Sequence, residues 1–317
     1  MTRDLLDRRF DVTIAGEINL DLILYGLPEQ MPVERELLAS KFELTLGGSS
    51  AIVAHNLSCL GLRVGFVTRI GPDDLGRLAV DRLAGSGVDL TQVQSATNLS
   101  GTGVTVLLPH GKDRHMLTYP GTMAEMTAEG LPVSYLADSR HFHLSSLFLQ
   151  QALHPGLPAL LVALKRAGLT LSLDTNDDPE DRWGGVLQQV LGLIDILLPS
   201  ERELLRIAGV SAVEEALDLI GQRVPLIVVK CGPRGAIVQH KGTRHQLPGI
   251  AVDVVDTIGA GDSFNAGFLS AYLRGASPVE AARIGNIAGA LSTLAPGGTE
   301  AFRNSTLREA FFEAHGS

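Results

Sequence analysis

Short apolar runs bounded by turn residues alternate along this chain with stretches of helical periodicity, and that alternation restricts the fold more than any other feature. The runs at 12–15, 64–70, 142–144, 169–173, 194–198 and 226–230 are continuous in apolar character, as strands covered on both faces are. Between them, 49–60, 75–84, 157–167, 183–191, 200–208 and 212–222 carry apolar residues at helical spacing. Strand, helix and strand in succession imply right-handed crossovers and an open, mostly parallel α/β sheet with helices on both faces. Two stretches break the rhythm. About 20–46 and about 101–119 read as alternating strands with turns at Gly26-Leu27-Pro28 and His110-Gly111-Lys112-Asp113, which predicts a small β-sheet lid over a ligand cleft. With no internal repeat or low-complexity linker in 317 residues, one domain spanning 1–317 with this discontinuous lid is expected.

The acidic balance narrows the partners. Thirty-five Asp and Glu against 26 Lys and Arg leave a net charge of −9 with no basic stripe, which argues against a nucleic-acid surface. A bound nucleotide must then rely on backbone amides and a metal ion. Cys59 and Cys231 stand far apart without C-x-x-C spacing, so neither a disulfide framework nor a zinc site is expected. Residues 1–9 lack the apolar run of a signal peptide, and the most apolar window, 186–199, is broken by Gln188, Gln189 and Asp195. The expectation is a cytoplasmic protein without a membrane span.

The run Asp256-Thr257-Ile258-Gly259-Ala260-Gly261-Asp262-Ser263-Phe264-Asn265-Ala266-Gly267-Phe268 sets a side-chain-poor loop ahead of apolar residues at helical spacing. Free N–H groups and the positive dipole end at a helix start bind phosphate oxygens without a lysine. Gly259 and Gly261 let the backbone approach, and Asp262 falls in the first turn beside that anion. Two readings compete. Asp262 is either an ordinary acidic cap, or a general base for an acceptor hydroxyl while the amides of Gly259, Ala260 and Gly261 stabilise a phosphoryl group in transfer. Upstream, Gly16-Glu17-Ile18-Asn19-Leu20-Asp21 follows the first strand, so Asn19 and Asp21 emerge where open α/β sheets bind ligands, or else sit in a solvated turn. Gly47-Gly48-Ser49-Ser50 joins a strand to a helix, as a backbone cradle for a small polar ligand or as a glycine turn with a serine cap.

The thirteen residues from Asp256 resemble the second signature of the ribokinase-like (PfkB) sugar kinases, D-T-x-G-A-G-D-x-F. Residues 47–76 resemble the first, with Gly47, Gly48, Leu57, Leu60, Gly61, Gly71, Asp73 and Gly76 keeping its pattern, and the likeness runs from Gly16 to Gly298. The resemblance implies a ribokinase-like fold and an ATP-dependent, Mg2+-assisted transfer of the γ-phosphate to a sugar or polyol hydroxyl, with Asp262 as base. It implies acceptor contacts from Asn19, Asp21, Gly47, Gly48, Asn56, Asp174 and Asn176. Ile52 stands where many relatives carry an Asn, and Asn56 is the next polar group down that helix. On the nucleotide side the resemblance implies Ser200, Lys230, Gly232 and Gly235, with Asn286 lining the adenine pocket. Glu203 takes the acidic place of an N-x-x-E motif linked to Mg2+-bound water, while Ser200 replaces its Asn and forms with Glu203 the pattern of a capping box. Asp256, Ile258 and Gly297 would frame a monovalent cation such as K+. Lys112, Arg114 and His115 are the local cations on the lid side, and such a trio is more often a solvated hairpin tip, so no sugar-phosphate substrate is expected from it.

A sugar substrate and ATP are therefore the expected partners, with an exposed lid edge favouring a homodimer. A nucleoside kinase of the same fold and a non-catalytic sugar- or nucleotide-binding regulator are the alternatives. The first strand is not followed by G-x-G-x-x-G and the chain has no Walker A motif, which argues against a nicotinamide dehydrogenase and a P-loop kinase.

Overall fold

The computed structural model describes residues 8–98, 100–110 and 113–316, so Lys112 and most of the N-terminal segment lie outside the described residues. The first strands are β1 (Phe10–Ala15), β2 (Asn19–Tyr25), β3 (Lys41–Gly47), β4 (Val64–Ile70), β5 (Asp89–Ser95), β6 (Gly103–His110) and β7 (Asp113–Tyr119). The later ones are β8 (Ser139–Leu144), β9 (Thr170–Leu173), β10 (Ile196–Leu197), β11 (Leu226–Lys230), β12 (Ala236–His240) and β13 (Thr243–Leu247). The helices are α1 (Ser49–Cys59), α2 (Asp74–Ala84), α3 (Val133–Leu136), α4 (Leu157–Arg166), α5 (Val186–Val190) and α6 (Glu201–Ala208). They continue with α7 (Val213–Gly221), α8 (Ala260–Tyr272), α9 (Pro278–Ser292), α10 (Glu300–Arg303) and α11 (Ser305–His315).

Among the described residues, nine strands form the main sheet in the order β13-β12-β11-β10-β9-β8-β1-β4-β5. All pairings from β11 to β5 are parallel, and only the β11–β12 and β12–β13 pairings are antiparallel. Successive residues of one strand enter opposite cores: Ile227 and Val229 pack with α4 to α7, whereas Leu226 and Val228 pack with α1, α2, α8 and α9. That period of two is why the strands read as continuous apolar runs, since each face is covered by helices. The expected open, mostly parallel sheet is observed. A second sheet, β3-β2-β6-β7, stands apart and uses the two stretches that interrupt the strand–helix rhythm.

From β1 the chain proceeds to β4 and β5 on one side, then returns to β8 and continues to β11 on the other. This reversal opens a crevice at the carboxyl ends of β1 and β8, where doubly wound sheets take their ligands. Helices α8 and α9 meet closely at glycines. A Cβ on Gly267 would lie 2.4 Å from Ala288 Cβ, and one on Gly285 would lie 2.9 Å from the Phe264 ring. That contact fixes α8, and hence the loop that precedes it, against the body of the protein.

Strands β8 and β5 and helix α11 are among the elements that depart from the sequence expectation. Strand β8 begins at Ser139, ahead of its apolar part, because the buried His141 and His143 are satisfied by Thr170, Ser172 and Ser145 hydroxyls at 2.7–2.9 Å. The polar, half-buried edge strand β5 and the terminal helix α11 carry no continuous apolar run. No helix among the described residues is long and apolar enough to cross a membrane.

Candidate active site

Gly259 caps α8 with φ +70°, a left-handed conformation that glycine adopts without strain. A Cβ there would meet Gly298 Cα at 2.4 Å, so the loop and the 297–298 turn touch backbone to backbone. Ile52 of α1 packs on the same pair, with its Cδ1 3.3 Å from that Cβ position. The Ala260 N–H donates to Thr257 O at 3.3 Å, while the Gly261 N–H finds no backbone acceptor among the described residues. Asp262 follows in the first turn and is 7% exposed. Burial pushes its carboxyl up to about 7, the Asp174 carboxylate adds to the rise, and Lys230 and a Ser49 hydroxyl hydrogen bond oppose it.

Lys230, at the end of β11, is the cation of this centre. Its Nζ lies 3.6 Å from where a Gly261 Cβ would be, which brings the ammonium beside the amides of the α8 turn. It pairs with the fully buried Asp174 and also interacts with Glu203 and Asp262, so three carboxylates surround one ammonium. Asp174 is fixed further by Asn265 Nδ2 at 2.5 Å and the Asn176 N–H at 3.2 Å. Its carboxylate, expected on the acceptor, is thus engaged with Lys230 and Asn265. Glu203 is raised by burial and by Asp174, against the pull of Lys230.

Beyond Asp174, residues remote in sequence build one wall. Glu17, just after β1, accepts from the Ser50 N–H at 3.1 Å, the Ser50 hydroxyl at 2.7 Å and the Ser146 hydroxyl at 2.7 Å. Asn176 accepts from the Ser146 N–H at 2.8 Å and donates to Ser49 Oγ at 3.0 Å. Ser146 and Asn176 both have positive φ, 51° and 52°, an uncommon geometry for non-glycine residues that gathers at functional sites. Asp21 packs where a Gly47 Cβ would sit, 2.1 Å from its Oδ1, and a Gly48 Cβ would lie 2.7 Å from Asn19 Oδ1. Burial pushes Asp21 up to about 7, with Asp256 adding and Asn19 opposing. Asn19 Oδ1 is buried with no donor, an acceptor left open beside Asp21. Glu17, Ser49 and Ser146 were not foreseen from sequence, because their partners lie up to 129 residues away.

Asn56 is differently engaged from the acceptor role expected of it. Its Nδ2 donates to Ser263 Oγ at 2.9 Å and to Gly298 O at 3.0 Å, so its amide braces the α8 loop. The capping box is present: Ser200 Oγ accepts from the Glu203 N–H at 3.3 Å, and Glu203 Oε2 accepts from the Ser200 N–H at 2.7 Å. One Glu203 oxygen is held by the cap, and the other is available to the cluster. That donor fits a magnesium ion, which keeps most of its water and needs few carboxylate oxygens.

Gly232, at φ +58°, has open space around it, whereas a Cβ on Gly235 would strike Leu247 O at 2.1 Å, so Gly235 shapes the turn itself. Asn286 donates to Pro248 O at 3.0 Å and tethers α9 to that side. Asp256 accepts from Tyr25 Oη at 2.7 Å, the Ile258 N–H at 2.9 Å and the Gly297 N–H at 3.1 Å. Three donors thus meet this carboxylate, filling three of its roughly four lone-pair sites. The Tyr25 bond, with Arg114 Nη1 donating to Thr257 Oγ1 at 2.9 Å, ties the small sheet to the loop before α8.

The sequence matches the profile described as pfkB family carbohydrate kinase over residues 9–304. The 2-dehydro-3-deoxygluconokinase of Bacillus subtilis is 28% identical over 271 residues, 81% of this chain and 83% of its own. The cytidine kinase of Thermococcus kodakarensis is 27% identical over 286 residues, 87% of this chain and 93% of its own. Among solved structures, an E. coli chain described as a ribokinase II, in complex with ATP and Mg2+, aligns with a TM-score of 0.82 at 26% identity, covering 96% of this chain and 100% of that one.

Proposed function

Because the chain belongs to the pfkB family of carbohydrate kinases, we propose that it transfers the γ-phosphate of ATP to a hydroxyl of a sugar or polyol, with Asp262 as the general base. The observation that carries this reading is a buried carboxyl with an affinity for protons near neutral pH, set in the first turn of α8 between an ammonium and an open Gly261 N–H. A base titrating near 7 accepts a hydroxyl proton at working pH and returns it to solvent afterwards. The acceptor hydroxyl donates its proton to Asp262, its oxygen attacks the γ-phosphorus in line, and the bond from that phosphorus to the β,γ-bridging oxygen breaks, so that ADP leaves with the electron pair. The amides of Gly259, Ala260 and Gly261 and the Lys230 ammonium hold the negative charge of the group in transfer. Asn19 Oδ1 and Asp21 accept from other hydroxyls of the substrate, with Gly47, Gly48, Asn176 and Ser49 forming the wall that orients it. Gly232 is the turn along which the nucleotide phosphates pass. Glu203 is the residue to hold Mg2+ through water, and the ion when bound neutralises phosphate charge.

The whole chain acts in this proposal as one kinase domain, with β2, β3, β6 and β7 as the lid. Phe42, Met116, Leu117 and Tyr119 are each more than half exposed on the lid, which supports a homodimer through that sheet. Sedimentation of Leu117→Lys beside wild type tests this, and an unchanged monomeric wild-type mass rejects it. Both cysteines are free, in keeping with catalysis in the reducing cytoplasm.

The test of function is acceptor-dependent ADP release with MgATP across ketoses, aldoses, polyols and nucleosides. Turnover with a sugar or polyol supports the proposal. Turnover confined to nucleosides would favour the second reading, which the similarity to a cytidine kinase motivates. ADP release that no acceptor increases would reject both.

A further inference from the structure

A second polar cavity lies at the far end of α1 from Asp262. The helix has eleven residues, so its ends are about 15 Å apart. The cavity measures about 300 Å3 and is lined by His55, Cys59, Gly85, Ser86, Arg303 and Arg308, with Phe302 behind them. Arg303 donates one hydrogen bond, to Arg82 O at 3.0 Å, and Arg308 donates one to Phe302 O. A guanidinium has five N–H donors, so most of those on both arginines have no hydrogen-bond acceptor among the described residues. The nearest carboxylates stand off, Glu300 at 3.9 Å from Arg303 and Glu309 at 3.8 Å from Arg308, the latter 76% exposed. Arg82, which faces Glu300 at 3.5 Å, adds a buried Nε with no acceptor. Three guanidiniums thus meet two loosely placed carboxylates, an excess of positive charge that favours an anion.

His55 refines the chemistry. Asn56 donates from Nδ2 to a carbonyl oxygen, Gly298 O, so its Oδ1 is the atom that faces His55 Nδ1 at 2.8 Å. His55 Nδ1 therefore carries the proton, and Nε2 presents a lone pair. The closest partner of Nε2 is Cys59 Sγ at 4.0 Å. Burial and the two arginines hold the ring neutral, so this lone pair persists across the physiological range. A ligand suited to the cavity offers anionic oxygens to Arg303 and Arg308 and a hydroxyl proton to His55. Hydrogen phosphate and the phosphate monoesters of small hydroxylated compounds do both. The link to catalysis is short, because His55 holds Asn56, Asn56 holds Gly298 O, and Gly298 backs Gly259 at the start of α8.

We propose that this cavity is a regulatory phosphate site, separate from the ATP cleft, whose occupant acts on the α8 loop through His55 and Asn56. It goes beyond the kinase reading and does not depend on the identity of the acceptor. The experiment uses the full chain saturated with a non-hydrolysable ATP analogue and Mg2+, so that the α8 anion turn is filled. Inorganic phosphate and, in a separate arm, glycerol 3-phosphate are titrated by calorimetry. The expected result is saturable binding of at least one probe, weakened about tenfold or more in Arg303→Gln/Arg308→Gln. Arg303→Lys should retain binding, and Ser86→Asp, which adds a carboxylate to the wall without removing either arginine, should lose it. Tighter binding of the ester than of phosphate identifies a phosphorylated metabolite as the occupant, and the reverse identifies free phosphate. Reciprocally, a saturating probe should change the affinity for the ATP analogue by about fivefold, a modest coupling between two sites. No saturable binding, binding unaltered in the double variant, or binding without effect on the analogue would each overturn the proposal.

Discussion

Replacing Asp262 by Asn should stabilise the ligand-free protein while nearly abolishing turnover, and the gain should depend on pH in a calculable way. Aspartate in an unfolded chain titrates near 3.8, and Asp262 in the fold titrates at about 7. Between those values the folded state keeps a proton that the unfolded state has lost. Stability from this group is therefore fully present below about pH 4 and is lost as pH rises through 7. The loss amounts to ~4 kcal/mol at pH 8 and ~2 kcal/mol at pH 5. Asparagine has nearly the same shape and is neutral at both values. Any change in the Ser49 hydrogen bond is common to both, so it drops out of the difference between them. Urea unfolding should show the variant gaining about 2–3 kcal/mol more, relative to wild type, at pH 8 than at pH 5. In the same preparations ADP release should fall by about 10^2 to 10^4, the ordinary contribution of a general base. A pH dependence smaller than about 1 kcal/mol would refute the buried-charge argument. Turnover within about tenfold of wild type would refute the base assignment.

Three further outcomes follow from the same geometry. His143, held near 3 by burial and by Lys230, is neutral in the fold but protonated in the unfolded chain below about 6.5, so it costs stability as pH falls. His143→Gln should therefore improve relative to wild type by about 2 kcal/mol between pH 7.5 and pH 5 in urea melts, and an unchanged difference would contradict the shift. Gly259→Ala forces a Cβ into Gly298 at a backbone angle of φ +70°, and should lower kcat about a hundredfold with little change in acceptor KM. Steady-state kinetics decide this, and a KM effect alone would reject the role of the turn in transfer. Lys230→Met leaves Asp174 buried without its counter-charge and should destabilise the fold by about 3–5 kcal/mol at pH 8, of which Asp174→Leu in the same chain should restore a large part. Equal melting of the single variant and wild type would show that the pair contributes little.

How far each feature was legible depended on whether its determinants were local. Parallel strands such as Leu226–Lys230 announce themselves because both faces are covered, so every residue is apolar or nearly so. The start of strand β8 is hidden in the sequence because Ser139 and His141 look like loop residues; inside, His141 is met by the hydroxyls of Thr170 and Ser172 on β9, and Ser139 by Thr13 Oγ1 and the Leu136 carbonyl. The same distinction runs through the site. Gly259, Gly261 and Asp262 form one turn and are visible as a motif, and the Ser200–Glu203 box likewise closes over three residues. Glu17 carries no local signal, because its partner Ser146 is supplied by the far side of the strand-order reversal. Ile52 and Asn56, one helical turn apart, do share a face of α1. Helical spacing shows that they point together but not toward what, and they face Gly298 and Ser263.

The buried titratable groups divide by location, and the division explains why the cleft rather than the core carries the cost. His141 and His143 lie within the sheet with both ring nitrogens met by hydroxyls, so each is satisfied in its neutral form at physiological pH. Asp21 and Asp262 lie at the start of β2 and the first turn of α8, and near pH 7 each is divided between a neutral form that burial favours and a charged form that it penalises. Asn19 Oδ1 beside Asp21 is an acceptor still lacking a donor. The polyhydroxylated acceptor of the proposed reaction would supply what all three lack, since hydroxyl donors satisfy an amide oxygen and stabilise ionised carboxylates. On the proposed reading, the fold is least comfortable where the acceptor would bind, and the groups that make it so are those assigned to orient a hydroxyl and take its proton.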